Sequence, residues 1–481
     1  MAKLFRIHSW VLLLVIPYVP AVQAQQSDST KNDPREQPVA PSPAPLPAGS
    51  TSVLALISSP LVTAEVQAAG NNRPLSGVQE QTLGPNLGAR NFLVPSISVT
   101  SQLATNSTGS GYARPTAFSY VLGTLDLNRV SDRSELLLHY GGGGMFSSYL
   151  NSAIQDLEFS YGYRWRRWSL LVGDQVSLLS ESSFGFGGVG GLAFLNGGSL
   201  FGAGPFLNPS LNPNQTIPTI LVPRLSNTAV AQIEYELSPR SSWTASGSYG
   251  MLNFLGAGFI NSADGTFQTG YNYSLSPQSS VAVMYRFDAF RFTHLPQKIE
   301  DHLVQFGYAR YVTGRMSIRL AAGPSMEMLR GVLTGFGNRL SWALDSSVGY
   351  QLDDTTLLLT YDHLVTGGSG VLVGAQTGQL EATVERKLTP RWQGSASLGY
   401  ATNRSLLLTT TNSGQQQFNS WYVAVRFNHQ LRPGTAFFVG YGVRRQAINA
   451  AACATLNCGT NLVGQEVSVG FNFGLRPVLF R

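Results

Sequence analysis

The stretch "DLEFSYGYRW" sets Leu157, Phe159, Tyr161, Tyr163 and Trp165 on odd positions and Asp156, Glu158, Ser160, Gly162 and Arg164 on even ones. A period of two held over a run of this length is strand geometry, with one apolar and one polar face. Three later stretches repeat it. "GQEVSVGFNFGL" places Val467, Val469, Phe471, Phe473 and Leu475 against Glu466, Ser468, Gly470, Asn472 and Gly474. "QLEATVERKL" keeps Glu381, Thr383, Glu385 and Lys387 on one face, and "WYVAVRFNHQL" does so with Tyr422, Ala424, Arg426, Asn428 and Gln430.

Short fragments of one kind join these runs: "ELSPRSS" (Glu236–Ser242), "SLSPQSS" (Ser274–Ser280), "KLTPRW" (Lys387–Trp392) and "QLRPGT" (Gln430–Thr435). "YVTGRM", "QLDDTT", "RWRRW" and "VSDRS" occupy equivalent places. Pro, Gly and Asp at such points are turn residues, so the fragments read as eight tight hairpin turns along one rim. The markers Leu237, Leu275, Val312, Leu352, Leu388 and Leu431 leave room between turns for a hairpin and a longer connection at the other end. Eight turns give sixteen strands. "NFLVPSISVTSQLAT" (Asn91–Thr105) before them and "LVGQEVSVGFNF" (Leu462–Phe473) after them raise the expected count to eighteen, or leave it at sixteen if Pro95 keeps the first from pairing. "GLRP" after the last strand looks like a turn with no strand to turn into.

Composition selects the setting. Only 12% of the 481 residues are charged, while Gly (51), Phe (25) and Tyr (19) are abundant and mean hydropathy is +0.01. A soluble chain carries about twice that charged fraction. After Val19 no apolar run is long enough for a spanning helix. Apolar residues spread singly over alternating runs are the pattern of an antiparallel transmembrane β-barrel, whose strands face lipid and lumen in turn; a soluble β-sandwich also alternates but seldom combines this length with so little charge. The first residues concern export. Lys3, Arg6 and His8 precede the apolar "WVLLLVIPYV", and "AVQAQ" offers small residues for cleavage after Ala24. Residues 25–50, rich in Pro, Ser and Ala, read as an unpacked linker. Residues 51–90 are expected either in the periplasm or tucked into the lumen, and 91–481 form the barrel.

On the signal peptide, the turn series and the aromatic terminal strand "VSVGFNF", the region from Asn91 to Arg481 resembles a bacterial outer-membrane β-barrel of the porin type. The chain departs from the usual aromatic ending by running on through "GLRPVLFR". The resemblance implies an all-β, up-and-down barrel with short periplasmic turns, periplasmic chain ends and long outer loops. It also implies lipid and the barrel-assembly machinery as partners, and a channel for small polar solutes. An export pore for an acidic polysaccharide and a non-conducting barrel that presents its outer loops for adhesion are the alternatives.

The longest connection, Ser182–Leu225, follows the fifth strand. Its apolar residues, Phe184, Phe186, Phe194, Phe201 and Phe206 among them, must bury somewhere, so the loop is expected to fold into the barrel mouth and narrow it, or else to cap the outside. Arg224 is its one ionisable group, which leaves selectivity to the wall. Charges in strands, namely Glu158, Glu234, Arg286, Asp288, Arg319, Glu381, Glu385, Arg426 and Arg444, with Arg404, are expected to face the lumen, because charge facing lipid at mid-depth costs a few kcal/mol. With 28 Arg, 4 Lys and a net charge of +6, the wall reads as mildly basic, favouring anionic or neutral solutes. Cross-strand pairing of these charges, which would merely stabilise the wall, is the competing reading.

Cys453 and Cys458, in an outer loop of an exported chain, are expected to form a local disulfide. No His, Asp or Glu lies near them to build a metal site, and no cofactor or nucleic-acid motif is present. The "GGGG" run (Gly141–Gly144) falls inside a strand and suits close backbone approach more than phosphate binding. Nucleophilic hydrolysis needs a serine, a histidine and an orienting group together. The best pair, Asp362 and His363, would point to opposite faces of a strand, so no enzyme is expected.

Overall fold

The computed structural model describes residues 75–76, 91–105, 115–148, 151–179, 217, 222–331, 338–368, 370–407, 416–448, 461–475 and 478–480. The expected signal peptide and linker, Phe184, Phe186, Phe194, Phe201, Phe206, Cys453 and Cys458 lie outside them.

Eighteen antiparallel strands follow one another in chain order: β1 Asn91–Ala104, β2 Thr116–Val130, β3 Ser134–Ser147, β4 Ser152–Trp165, β5 Trp168–Leu179, β6 Arg224–Ser238, β7 Ser241–Phe254, β8 Ser262–Ser276 and β9 Ser279–Phe292, then β10 Lys298–Thr313, β11 Met316–Arg330, β12 Arg339–Gln351, β13 Thr355–Thr366, β14 Ala375–Lys387, β15 Trp392–Ser405, β16 Gln417–Arg432, β17 Thr435–Ile448 and β18 Asn461–Gly474. Each pairs with the next, and β1 pairs with β18 from Ser96↔Gly474 to Ala104↔Glu466, so the sheet closes. All eight expected turns join strands at one end, the turn end. The longer connections lie at the other, the loop end.

The repeated fragment has a local cause. In Ser238-Pro239-Arg240, Ser276-Pro277-Gln278, Thr313-Gly314-Arg315 and Thr389-Pro390-Arg391, the hydroxyl oxygen of the first residue accepts the backbone N–H of the third, at 3.2, 3.2, 3.2 and 3.3 Å. Ser or Thr thus satisfies a donor that the tight turn would strand. The marker residues also acquire a role. The ladder shifts register between Glu236 and Ser238, Ser274 and Ser276, Tyr311 and Thr313, and Gln430 and Arg432. Leu237, Leu275, Val312 and Leu431 are the extra residues of these bulges, and each is exposed on the outer surface.

Because residues directly opposite in a ladder share a face, one parity runs unbroken around the ring. Outward positions carry Ile97, Val99, Leu157, Val283, Phe306, Leu398 and Val469, all exposed. Near the turn end the outward face is aromatic, with Trp165, Trp168, Tyr235, Trp243, Tyr271, Tyr273, Trp392, Phe437, Phe471 and Phe473; Trp168 and Tyr235 lie 4.4 Å apart, and Phe437 and Phe471 5.1 Å. An apolar belt with an aromatic girdle is the surface of a membrane barrel. In the "GGGG" run, Gly142 and Gly144 face outward beneath the rings of Tyr140 and Phe146, and at Gly143 an added Cβ would collide with the carbonyl of Val121.

The chain end corrects one expectation. After Gly474 the backbone breaks register and resumes as β19, Val478–Phe480, which pairs with Asn91–Leu93. The chain after "GLRP" therefore returns to the same edge of β1, and the fragment is not followed by a missing strand. This break also accommodates Pro95. Its carbonyl accepts the N–H of Leu475 at 2.9 Å, and since N and C=O of one strand residue point the same way, its missing donor faces the gap in the ladder.

If the hydroxyl caps hold the turns, Thr389→Ala, which strands the N–H of Arg391 and leaves that of Trp392 only the Thr389 carbonyl, costs about 0.5–1.5 kcal/mol, while Thr389→Ser costs little. Urea midpoints of the protein refolded in vesicles measure the difference; equal midpoints for Thr389→Ala and wild type would contradict it.

Candidate functional site

The inward face is polar and charged. Glu158, Glu234, Arg286, Asp288, Arg319, Glu381, Glu385, Arg426 and Arg444 all fall on inward positions, as the registers of their strands require. Arg404 does not: on β15 the inward positions are odd, so it points outward beside the loop end, where charge can reach water. Asp174 is a further departure, an outward acid midway along β5, with Asn227 Nδ2 donating to its Oδ1 at 2.7 Å. Arg224 is the first residue of β6 and not part of the loop.

On β8 to β11, Arg286 Nε donates to Asp288 Oδ2 at 2.7 Å and Oδ1 at 3.0 Å, and Thr266 Oγ1 donates to Asp288 Oδ1 at 2.6 Å. Beside them Ser325 Oγ donates to Asp301 Oδ1 at 2.5 Å. Farther around, Arg319 Nη2 meets Asp345 Oδ2 at 3.3 Å. Tyr422 donates to Glu381 Oε1 at 2.8 Å, its ring lying over Gly399. Phe438 covers Gly470 in the same way, and the Arg426 guanidinium lies 4.1 Å above that ring while its Nε donates to Asn428 Oδ1 at 2.8 Å. Glycine opposite an inward aromatic lets the ring lie flat against the wall and carry a cation on its face. On β2 and β3, Asp126 Oδ1 is 2.5 Å from His139 Nδ1.

The wall is not basic. Among the described residues less than about a tenth exposed, the acids are Asp156, Glu158, Asp264, Asp288, Asp301, Glu327, Glu381, Glu385 and Glu466, whereas the arginines are Arg286, Arg319 and Arg426. The surplus of arginine sits at the turns, as with Arg166, Arg167, Arg240, Arg315 and Arg391, and on the outer surface. Whole-chain charge does not separate rim from lumen.

Two groups of residues enter the lumen from outside the wall. At the loop end, Ile217 from the long connection packs with Leu372, Ala375 and Phe418, about eight strands around the ring from β6. The loop from Gly367 to Gly374 meets this residue. Gly368, Gly370 and Gly374 have φ of 82°, 76° and 72°, which only glycine adopts freely; Gly370 C=O accepts the N–H of Ile260 at 2.8 Å, and Val373 packs against Phe290, Phe292, Ile299, Val365 and Leu406. Nearer the turn end, Leu75 and Ser76 lie against the wall. Ser76 N–H donates to Asn272 Oδ1 at 3.0 Å, Asn272 Nδ2 donates to Ser76 Oγ at 2.8 Å, and Gln268 Nε2 donates to Ser76 C=O at 2.7 Å. Leu75 completes an apolar patch with Ala282, Met284, Ala309 and Ala321.

Sequence reading missed this socket, the Gly367–Gly374 loop, and the inward acids Asp126, Asp264, Asp301, Glu327, Asp345 and Asp362. The acids sit at inward parity within alternating runs and were legible there. The histidines form no shared site. His363, His302 and His429 face outward against Trp342, Phe287 and Trp392, with Asp362 on the opposite face from His363. Among the described residues no cluster of three His, Cys, Asp or Glu could hold a metal ion.

A closed ring of eighteen strands with an apolar, aromatic-girdled exterior and a charged interior is a transmembrane β-barrel of the porin type. No protein-family model and no curated protein matches the chain. Solved structures with a related fold include three from Pseudomonas aeruginosa: OccK2 (OpdF) in complex with glucuronate (9% identity, TM-score 0.42, covering 80% of this chain and 98% of that one), OprD (10%, 0.38, 85% and 100%) and OccD3 (OpdP) (10%, 0.41, 87% and 99%).

Asn272→Leu removes two of the three hydrogen bonds to Ser76 at similar volume. Each buried polar group so stranded costs about 1–3 kcal/mol, and the expected outcome is release of the segment, read as faster labelling of Ser76→Cys by a water-soluble maleimide in the Asn272→Leu background. Unchanged labelling would show that these bonds do not hold it.

Proposed function

We propose that the chain is an outer-membrane channel for passive diffusion of small polar solutes. It is exported by a signal peptide cleaved after Ala24, inserted by the barrel-assembly machinery, and placed with turns and chain ends in the periplasm. The observation that carries this reading is the inward parity, which lines an eighteen-strand ring with ionisable and hydrogen-bonding groups, interrupted by apolar patches at the loop end and beside Leu75. Barrels of this size are wide enough for an aqueous path, and fixed charges on the wall set a field along it. Because carboxylates outnumber guanidiniums on the buried inner face, the pore favours cationic and neutral solutes over anions. Paired charges such as Arg286–Asp288 and Arg319–Asp345 hold polar side chains against the wall.

Ile217, the Gly367–Gly374 loop and Leu75–Ser76 support a narrowed path. They also favour a second reading, in which the barrel is closed and serves to present its loops.

Single-channel recording of the refolded protein in planar bilayers separates the two. Discrete steps with a reversal potential favouring cations, larger after deletion of Gly185–Pro218, are expected. Silence in both forms would reject the channel, and an anion-selective reversal potential would reject the proposed role of the acidic wall.

A further inference from the structure

Among the described residues, three outward-facing cations stand side by side on neighbouring strands. At the loop end, Lys298 of β10 stands directly opposite Arg291 of β9 on one side and Arg330 of β11 on the other. All three lie on the outward parity and are exposed. They are held in place by ladder pairing and by the short connection from Thr293 to Gln297, where Thr293 N–H donates to Asn261 C=O at 2.9 Å. The barrel region holds only two lysines, and one of them lies between these arginines.

Like charges directly opposite in a sheet repel. Glu300, one outward position farther along β10, meets Arg330 Nη2 at 2.8 Å and offsets one cation, leaving the row with a net positive charge. Toward the middle of the barrel the outward face turns apolar, through Phe287, Val304 and Phe306. The row therefore stands where hydrocarbon gives way to headgroups, the depth at which long basic side chains extend toward the polar layer. On β8 the residue opposite Arg291 is Ala263, so the charge is local and not a general rim property.

We propose that Arg291, Lys298 and Arg330 form a binding site for the phosphate groups of a phosphorylated glycolipid in the outer leaflet. Three neighbouring strands span about 10 Å, so one phosphate can take charge-assisted hydrogen bonds from two of the three side chains at once, with arginine supplying the bidentate geometry. The acyl chains of the same lipid then lie along Phe287, Val304 and Phe306. Placement in the outer leaflet rests on the orientation proposed above. Inorganic phosphate shares the headgroup chemistry but has no acyl chains to hold it.

The test uses full-length protein refolded in neutral detergent, titrated with diphosphorylated lipid A, its dephosphorylated counterpart, phosphatidylglycerol and inorganic phosphate, with bound lipid counted by native mass spectrometry. Wild type is expected to prefer the phosphorylated glycolipid by about tenfold or more over its dephosphorylated form and over phosphatidylglycerol, with inorganic phosphate a poor competitor. R291Q/K298Q/R330Q loses that preference; R291K/R330K retains most of it, and R404Q, an outward cation elsewhere on the rim, retains all of it. Heat-modifiable electrophoretic mobility confirms that each variant is folded. Equal binding by the triple variant and wild type would overturn the site. Competition by inorganic phosphate at lipid concentrations would reduce it to an ion site, and a preference for phosphatidylglycerol would place it in the other leaflet; either contradicts the proposal.

Discussion

A hydrocarbon layer offers no partner to a backbone N–H or C=O, so every strand that crosses it must be paired on both sides. In this protein that requirement is met by closure of β1 against β18. The closing seam is where the chain has least freedom, and two of its irregular features answer each other there. Pro95 removes a donor from β1 at the level where the β18 ladder breaks before resuming as Val478–Phe480. A proline in the middle of a continuous ladder would leave an acceptor unsatisfied; opposite a break in the pairing it costs little.

Closure fixes parity, and parity fixes the chemistry of both surfaces. Once the strands are in register, a residue has one choice of face, and a shift by one position would turn Glu381, Arg426 and their neighbours toward lipid. The wall then manages its own charge. Arg286 spans both oxygens of Asp288, Arg319 meets Asp345, and Arg426 rests on Phe438 over Gly470. Pairs of this kind lie flat along the wall, as do Leu75 and Ser76 where they meet Gln268 and Asn272.

Much of the architecture was legible because lipid imposes a simple code. The alternation in Asp156–Trp165 and Gly464–Leu475, and the Ser/Thr-Pro/Gly turns, express constraints acting over a few residues. They give strand number, register and the inward direction of Glu158, Arg286 and Arg426. What escaped depends on distance around the ring. Ile217 meets Phe418 only because the barrel brings them together, and nothing in the local sequence of Leu75 and Ser76 announces Asn272 as a partner. The sign of the wall was misread for a related reason: arginines at turns and acids in strands contribute alike to a net charge, and position alone separates them. Arg404 shows the same limit, since a strand-end charge escapes the penalty that directs mid-strand charges inward.

The central claim is that one parity of every strand faces an aqueous interior and the other faces lipid. Single-cysteine variants along β9, from Val281 to Ala289, test it in refolded vesicles, each labelled with an environment-sensitive probe and challenged with a water-soluble and a lipid-soluble quencher. The account predicts that even positions, including Arg286 and Asp288, respond to the aqueous quencher and odd positions, including Val283 and Tyr285, to the lipid one. Alternation with the opposite phase, or no alternation at all, would contradict it.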